Sequence, residues 1–134
     1  MIEAAQLRRP IIAANRASPN DPVPLIAFYD SYRLLNQQPS ESAVRGLVRA
    51  SELVPQEPGL RMQAVLTLLD TDSIERAQRL SAARFLLAPV AYAPHSSGLQ
   101  RYALRLVKWI DGGGEGDGPP EDDLPEPEFT VAGE

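Results

Sequence analysis

The chain of 134 residues has room for one domain with a hydrophobic core, because a domain of this size buries roughly two-thirds of the surface of its unfolded chain. It contains no cysteine, which excludes disulfides and thiol catalysis, and no apolar run near the roughly 20 residues of a membrane-spanning helix, so no membrane insertion is predicted. The net charge of -5 is uneven: residues 1–111 hold all 13 basic side chains and 10 acidic ones, whereas residues 112–134 hold eight acidic side chains and no basic one.

Helical spacing of apolar residues predicts a first helix before Pro19 and a second one after it. The first depends on Leu7, Ile11 and Ala14. The second carries an apolar stripe at positions i, i+3, i+4, i+7 and i+10, formed by Leu25, Phe28, Tyr29, Tyr32 and Leu35. Asp21 can cap this helix, and Pro22 then stands at the first helical position, where a missing N–H costs nothing.

A proline again marks a predicted helix start at Pro58, 36 positions after Pro22. A third helix between the two prolines is predicted from the apolar stripe of Ala43, Leu47, Ala50 and Val54. The small alanines favour close contact between helices. A fourth helix over 60–69 has Pro58 at its first position and Gln56 or Glu57 as its cap.

Two further helices complete the predicted all-α fold of about six helices. Asp72 and Glu75 have the spacing of a capping box for a fifth helix that opens at Ile74, and Pro89 should kink or end that helix. A sixth helix over 97–111 has an inward stripe of Leu99, Ala103, Leu106 and Ile110. No run alternates with period two, so no sheet is expected.

The last segment is predicted to be a disordered acidic tail. Five glycines between Gly112 and Gly118 and four later prolines interrupt it, so it cannot bury enough apolar surface to offset its ordering entropy. The predicted domains are a helical repeat domain at 1–111 and the tail at 112–134.

The helix pairs resemble tetratricopeptide repeats, a family of two-helix units of about 34 residues with the first-helix pattern W-x₂-L-G-x₂-Y, the second-helix pattern A-x₃-F and a closing proline. One unit matches these positions at Leu25, Phe28, Tyr29, Tyr32, Ala43, Leu47 and Pro55. A second matches at Arg61, Ala64, Val65, Leu68, Ala82, Leu86 and Pro94. Leu7, Ile11, Ala14 and Pro19 resemble the second half of a unit whose first half is missing. The resemblance covers about residues 5–111 and implies a right-handed α-solenoid of antiparallel helix pairs.

The resemblance also implies a binding surface, because the first helix of each pair lines the concave face of such a solenoid. By alignment, that surface would comprise Ile26, Asp30, Arg33, Met62, Leu66, Leu69, Arg101, Arg105 and Lys108. The three basic residues at its end leave two alternatives, a surface for an acidic ligand or the solvated face of a terminal helix.

Structural roles explain the residues that resemble catalytic or ligand sites. His95 beside Ser96 could act as a base, but no third group orients it, and serines at helix starts are usually caps. The run DTDS lacks the glycine and distal glutamate of a calcium loop, and DGGGEGDG lacks the lysine of a phosphate loop. Scattered arginines and an acidic tail argue against nucleic-acid binding. The sequence therefore predicts no enzyme, no metal and no cofactor.

The expected function is a non-catalytic protein-interaction or scaffolding module. Its partner would be a protein or peptide, an acidic one being compatible with the basic residues, or another domain of the same polypeptide. The half-repeat indicates the C-terminal part of a longer protein, and the alternative is a short protein whose first helix caps the fold. Alanine- and arginine-rich usage favours a bacterial source. A second hypothesis is an accessory domain that packs on an upstream enzyme, for example a hydrolase.

Overall fold

The computed structural model describes residues 3–94, 97–116 and 118–120. These residues form six α-helices and no β-strand, which confirms the all-α prediction. The helices are α1 (Ala4–Ala17), α2 (Pro22–Leu34), α3 (Glu41–Leu53), α4 (Pro58–Asp70), α5 (Arg76–Ala91) and α6 (Gly98–Asp111). The chain packs as two units, Met1–Ala83 and Arg84–Glu134, called here the first and second unit.

Local signals account for most of the helix starts. The Asp21 carboxylate accepts from the Val23 N–H at 3.0 Å, and Pro22 is the first residue of α2, as predicted. Ser40 caps α3 by accepting from the Ala43 N–H at 3.2 Å, and Ser97 caps α6 by accepting from the Gln100 N–H at 3.0 Å. The α4 N-cap is Glu57, without a side-chain hydrogen bond.

The predicted start of the fifth helix at Ile74 is wrong. Thr71 Oγ1 accepts from the Ser73 N–H at 3.3 Å, which holds residues 71–73 in a bend that a helix cannot include. The Glu75 carboxylate caps α5 itself, because it accepts from the N–H groups of Ala77 at 3.0 Å and Gln78 at 3.3 Å. The helix then passes Pro89 and ends at Ala91.

The core of the first unit lies on α3 and α4. Consecutive helices contact each other from α1 to α4, so α3 packs against both α2 and α4. Three of the four residues of its predicted stripe, Ala43, Leu47 and Ala50, are fully buried, whereas Val54 is half-buried and forms the C-cap of α3. The other buried apolar residues of this unit are Pro24, Val44, Met62, Ala64, Val65, Leu68, Ile74 and Ala83.

Arg8 attaches α1 to α2. Its guanidinium lies over the Tyr32 ring at 3.6 Å, its Nε donates to Ser31 Oγ at 2.8 Å, and its Nη2 donates to Gln37 Oε1 at 2.6 Å. Ser31 is buried and donates in turn to the Phe28 carbonyl at 2.6 Å. No α1 residue is fully buried, so this polar anchor contributes much of the attachment.

Arg8→Ala should lower the free energy of unfolding of the first unit by about 1–2 kcal/mol, because it removes a cation–π contact and two hydrogen bonds of a charged group. Arg9→Ala is the matched control, since Arg9 is exposed and should change stability by less than about 0.5 kcal/mol. Urea denaturation would measure both variants, and equal effects would show that Arg8 is not an anchor.

The second unit combines the end of α5 with α6. Its core residues are Leu86, Leu87, Ala91, Tyr102, Ala103, Leu106 and Val107. Arg84 Nε donates to Asp111 Oδ1 at 2.9 Å, and this hydrogen bond raises the pKa of Arg84 above its ordinary value. Gln100 Nε2 donates to the carbonyl of Ala91, the last residue of α5. Of the predicted α6 stripe, Ala103 and Leu106 are buried, whereas Leu99 and Ile110 are half-buried.

The chain turns back along α6 after that helix ends. Trp109 Nε1 donates to the Glu115 carbonyl at 3.0 Å, and Tyr102 Oη donates to the Pro120 carbonyl at 3.3 Å. Pro120 follows Glu115 in the chain but contacts Tyr102, which precedes Trp109 on α6. The segment therefore runs opposite to α6 over about 10 Å of helix. Four glycines with positive φ, Gly113, Gly114, Gly116 and Gly118, permit this reversal. The rest of the predicted tail, 121–134, lies outside the described residues.

Candidate interaction surfaces

An apolar groove opens between α1, α2 and α3. Its volume is about 190 Å³, and it is lined by Ile11, Ile12, Asn15, Pro24, Leu25, Phe28, Ser42 and Gly46. Ile12 is 39% exposed at its edge, although it is a large apolar residue. Because an apolar cavity of about 150 Å³ accepts benzene, the groove has room for one large apolar side chain.

Gly46 sets the width of the apolar groove on the α3 side. A Cβ built at Gly46 would lie 3.5 Å from Leu25 Cδ2, which is an ordinary van der Waals distance. Alanine therefore fits at this position, whereas a longer side chain there would extend into the groove that Gly46 lines.

A basic stripe adjoins the groove on α1. It faces open solvent and consists of Ala5, Arg8, Arg9, Ile12, Ala13 and Arg16. These positions follow helical spacing, so they lie along one face of α1. Ile12 belongs to both the groove and the stripe, which makes the two surfaces continuous. No acidic residue occurs between Ala4 and Ala17.

The two helices that carry six of the predicted surface residues, α2 and α4, touch through a pair of side chains. Tyr29 of α2 and Thr67 of α4 form a hydrogen bond of 3.2 Å. Since the Thr67 hydroxyl donates to the Gln63 carbonyl at 2.8 Å, Tyr29 is the donor in this contact. The bond joins α2 to α4 directly, and the binding role of the surface residues stays a prediction.

The exposure of the six predicted residues on α2 and α4 differs widely. Asp30 and Arg33 form an ion pair of 3.4 Å on α2, and Ile26 is half-buried. On α4, Leu66 is 40% exposed and Leu69 is half-buried, whereas Met62 is 4% exposed and contributes to the core. Met62 is therefore the member least able to contact a partner.

The three predicted basic residues lie on α6 in the second unit. Arg101 and Lys108 are exposed, and Arg105 is half-buried with its guanidinium 5.5 Å from the centre of the Tyr102 ring. They share a helix with Tyr102 and Trp109, the two donors that hold the returning segment. The acceptors are the backbone carbonyls of Pro120 and Glu115, so the segment after α6 lies along the helix that carries this basic face.

The residues weighed as catalytic or metal-binding candidates are only partly described by the structure. His95 and Ser96 lie outside the described residues, and Ser97 caps α6. Thr71 and Ser73, from the DTDS run, hydrogen-bond to each other at 2.8 Å. Within residues 3–94, 97–116 and 118–120, no group of three or more His, Cys, Asp or Glu side chains could hold a metal ion.

Sequence reasoning missed the apolar groove and the basic stripe. The groove combines residues from three helices, and only their tertiary arrangement brings Ile11, Phe28 and Gly46 together. The stripe had a local signal, since Arg9 and Arg16 stand seven positions apart in a segment without acidic residues. That spacing alone places two charges on one helix face.

No described helix combines the length and the apolar composition needed to cross a membrane. Comparison of the chain with models of protein families, with curated protein sequences and with solved structures found no significant match.

Proposed function

We propose that the chain is a non-catalytic protein-interaction module built from tetratricopeptide-like repeats, arranged as a right-handed solenoid of antiparallel helix pairs. The contact of each helix with the next from α1 to α4 supports this arrangement. The hydrogen bond between Tyr29 and Thr67 supports it further, because first helices of successive units are neighbours in such a solenoid. The arrangement supplies extended surfaces between helices, where a partner segment can dock.

The apolar groove is the observation that carries the proposal. Val44 and Val65, on α3 and α4, are fully buried, whereas the groove leaves Ile12 39% exposed beside a recess of about 190 Å³. Recesses with apolar walls and a few polar groups are typical ligand sites, and here Asn15 and Ser42 supply the polar groups. The groove is better suited to binding an apolar side chain of a partner than to catalysis, because none of its lining residues is titratable.

Site-specific photo-crosslinking tests this function. A benzophenone amino acid replaces Ile12 in one variant and the exposed loop residue Gln56 in a control, and both are irradiated in the cells that naturally make the protein. The Ile12 variant should give one discrete protein adduct that the Gln56 variant lacks. The yield of this adduct should fall when the substitution Gly46→Leu is added, because the leucine side chain fills the groove. Equal labelling from both positions would contradict a specific interaction at the groove.

A further inference from the structure

We infer that the apolar groove and the basic stripe form one docking surface for an acidic amphipathic helix of a partner protein. The inference rests on the proposed function and adds the chemistry of the partner. Ile12 joins the two surfaces, so an apolar side chain in the groove would place the neighbouring turns of a bound segment over the stripe.

The charges on the stripe favour acidic groups in the partner. Arg9 and Arg16 have no ion-pair or hydrogen-bond partner in the described part of the protein, whereas the Arg8 guanidinium is engaged by Ser31, Gln37 and Tyr32. Since α1 itself carries no carboxylate, two unpaired positive charges remain beside an apolar recess. A carboxylate placed there gains an ion pair without displacing one.

The backbone around the groove favours a helical partner. The groove is lined by helices, whose N–H and C=O groups are paired internally, and no strand edge occurs among the described residues. An extended peptide would leave its own backbone groups unpaired against apolar walls, whereas a helix satisfies them itself. Arg9 and Arg16 are about 10 Å apart along α1, which matches acidic residues two turns apart on a helix lying alongside.

A recess distinguishes this surface from one that binds lipid. Membrane binding buries protruding apolar side chains in the bilayer, but here most apolar lining residues, including Ile11, Leu25 and Phe28, are half-buried around a hollow. A side chain entering from the partner fills that hollow. Vesicles containing phosphatidylserine therefore test the alternative that this surface binds lipid.

Three matched synthetic peptides of 16 residues would test the inference by fluorescence anisotropy. The first is a helix with leucines on one face and glutamates on both flanks, the second has lysine for every glutamate, and the third has alanine for every leucine. Only the first should bind measurably, and amide shifts in NMR spectra should centre on Ile12, Arg9 and Gly46. Its affinity should fall as salt rises, because the ion pairs are exposed.

Two charge-matched double variants separate the stripe from general electrostatics. Arg9→Gln with Arg16→Gln should weaken the acidic peptide about 2- to 25-fold, as expected for two exposed ion pairs. Arg45→Gln with Arg49→Gln lowers the charge equally on α3 and should have little effect. All four arginines are exposed, so each double variant should still fold, although the control also removes the exposed contacts of Arg45 with Glu41 and Gln78 and of Arg49 with Asn20. Gly46→Leu serves as an additional block of the groove.

The inference is overturned if the lysine peptide binds as tightly as the acidic one, if the two double variants are equivalent, or if vesicles bind while the peptides do not. Failure of all three peptides at about 1 mM would also overturn it. A discrete crosslink from Ile12 together with any of these results would leave the proposed function standing and remove only the acidic-helix partner.

Discussion

Leu47→Ala should lower the free energy of unfolding of the first unit by about 2–5 kcal/mol, because it removes buried methyl groups and leaves a cavity. Leu47 is 0% exposed and lies on α3, which packs against both α2 and α4. Ala43 and Ala50 on the same helix are also fully buried and too small to close the space. Urea denaturation would measure the loss.

Leu34→Ala is the matched control for this cavity. It deletes the same atoms from a leucine that is 73% exposed on α2, so stability should change by less than about 0.5 kcal/mol. Leu47→Met keeps the side-chain volume and should cost less than about 1.5 kcal/mol. Similar midpoints for the two alanine variants would place Leu47 outside the core and contradict the packing of α3.

Arg79→Ala should destabilise the first unit by about 2–3 kcal/mol, because it removes charged hydrogen bonds to part-buried carbonyls. Arg79 lies on α5 and reaches the end of α4, where Nη1 donates to the carbonyls of Leu68 at 3.4 Å and Leu69 at 3.3 Å. Its Nε donates to the Ile74 carbonyl at 2.9 Å. Carbonyls in the last turn of a helix lack partners within the helix, so one guanidinium both caps α4 and holds the following loop.

Two substitutions on the same helix provide controls for Arg79. Arg79→Lys keeps the charge but loses the planar fork, so it should restore less than half of the lost stability. Ser81→Ala changes an exposed position of α5 and should be nearly neutral. Hydrogen exchange would add a local measure, since the Thr71 N–H, bonded to the Thr67 carbonyl at 3.0 Å, should exchange faster in Arg79→Ala. Unchanged exchange together with unchanged stability would refute the capping role.

Features determined by short stretches of sequence were predictable. Asp21 followed by Pro22 marks a helix start through geometry that involves only adjacent residues, and α2 begins there. The spacing of Ala43, Leu47 and Ala50 identifies a buried face because helical periodicity is local too. The α5 start was misplaced because Glu75 caps the helix alone, whereas the sequence pattern favoured Asp72.

Features made by distant residues were not predictable from one sequence. Arg8 and Ser31 are 23 positions apart, and long arginine side chains have many rotamers from which tertiary packing selects one. The apolar groove likewise depends on how closely α1, α2 and α3 approach; between α2 and α3, Leu25 Cδ2 lies 3.5 Å from where a Cβ at Gly46 would stand. The glycines after α6 predicted disorder, although the same conformational freedom permits the tight reversal.

The reversal after α6 determines where the protein can be shortened. Ending the chain at Asp111, the last residue of α6, would delete the carbonyls of Glu115 and Pro120 that accept from Trp109 and Tyr102. Ending it after Pro120 keeps both acceptors and removes six of the eight acidic residues that follow α6. The tryptophan would report the difference, because its indole loses a hydrogen-bond acceptor only in the shorter form. A protein engineered for crystallisation or fusion should therefore end no earlier than Pro120, which keeps both hydrogen-bond acceptors.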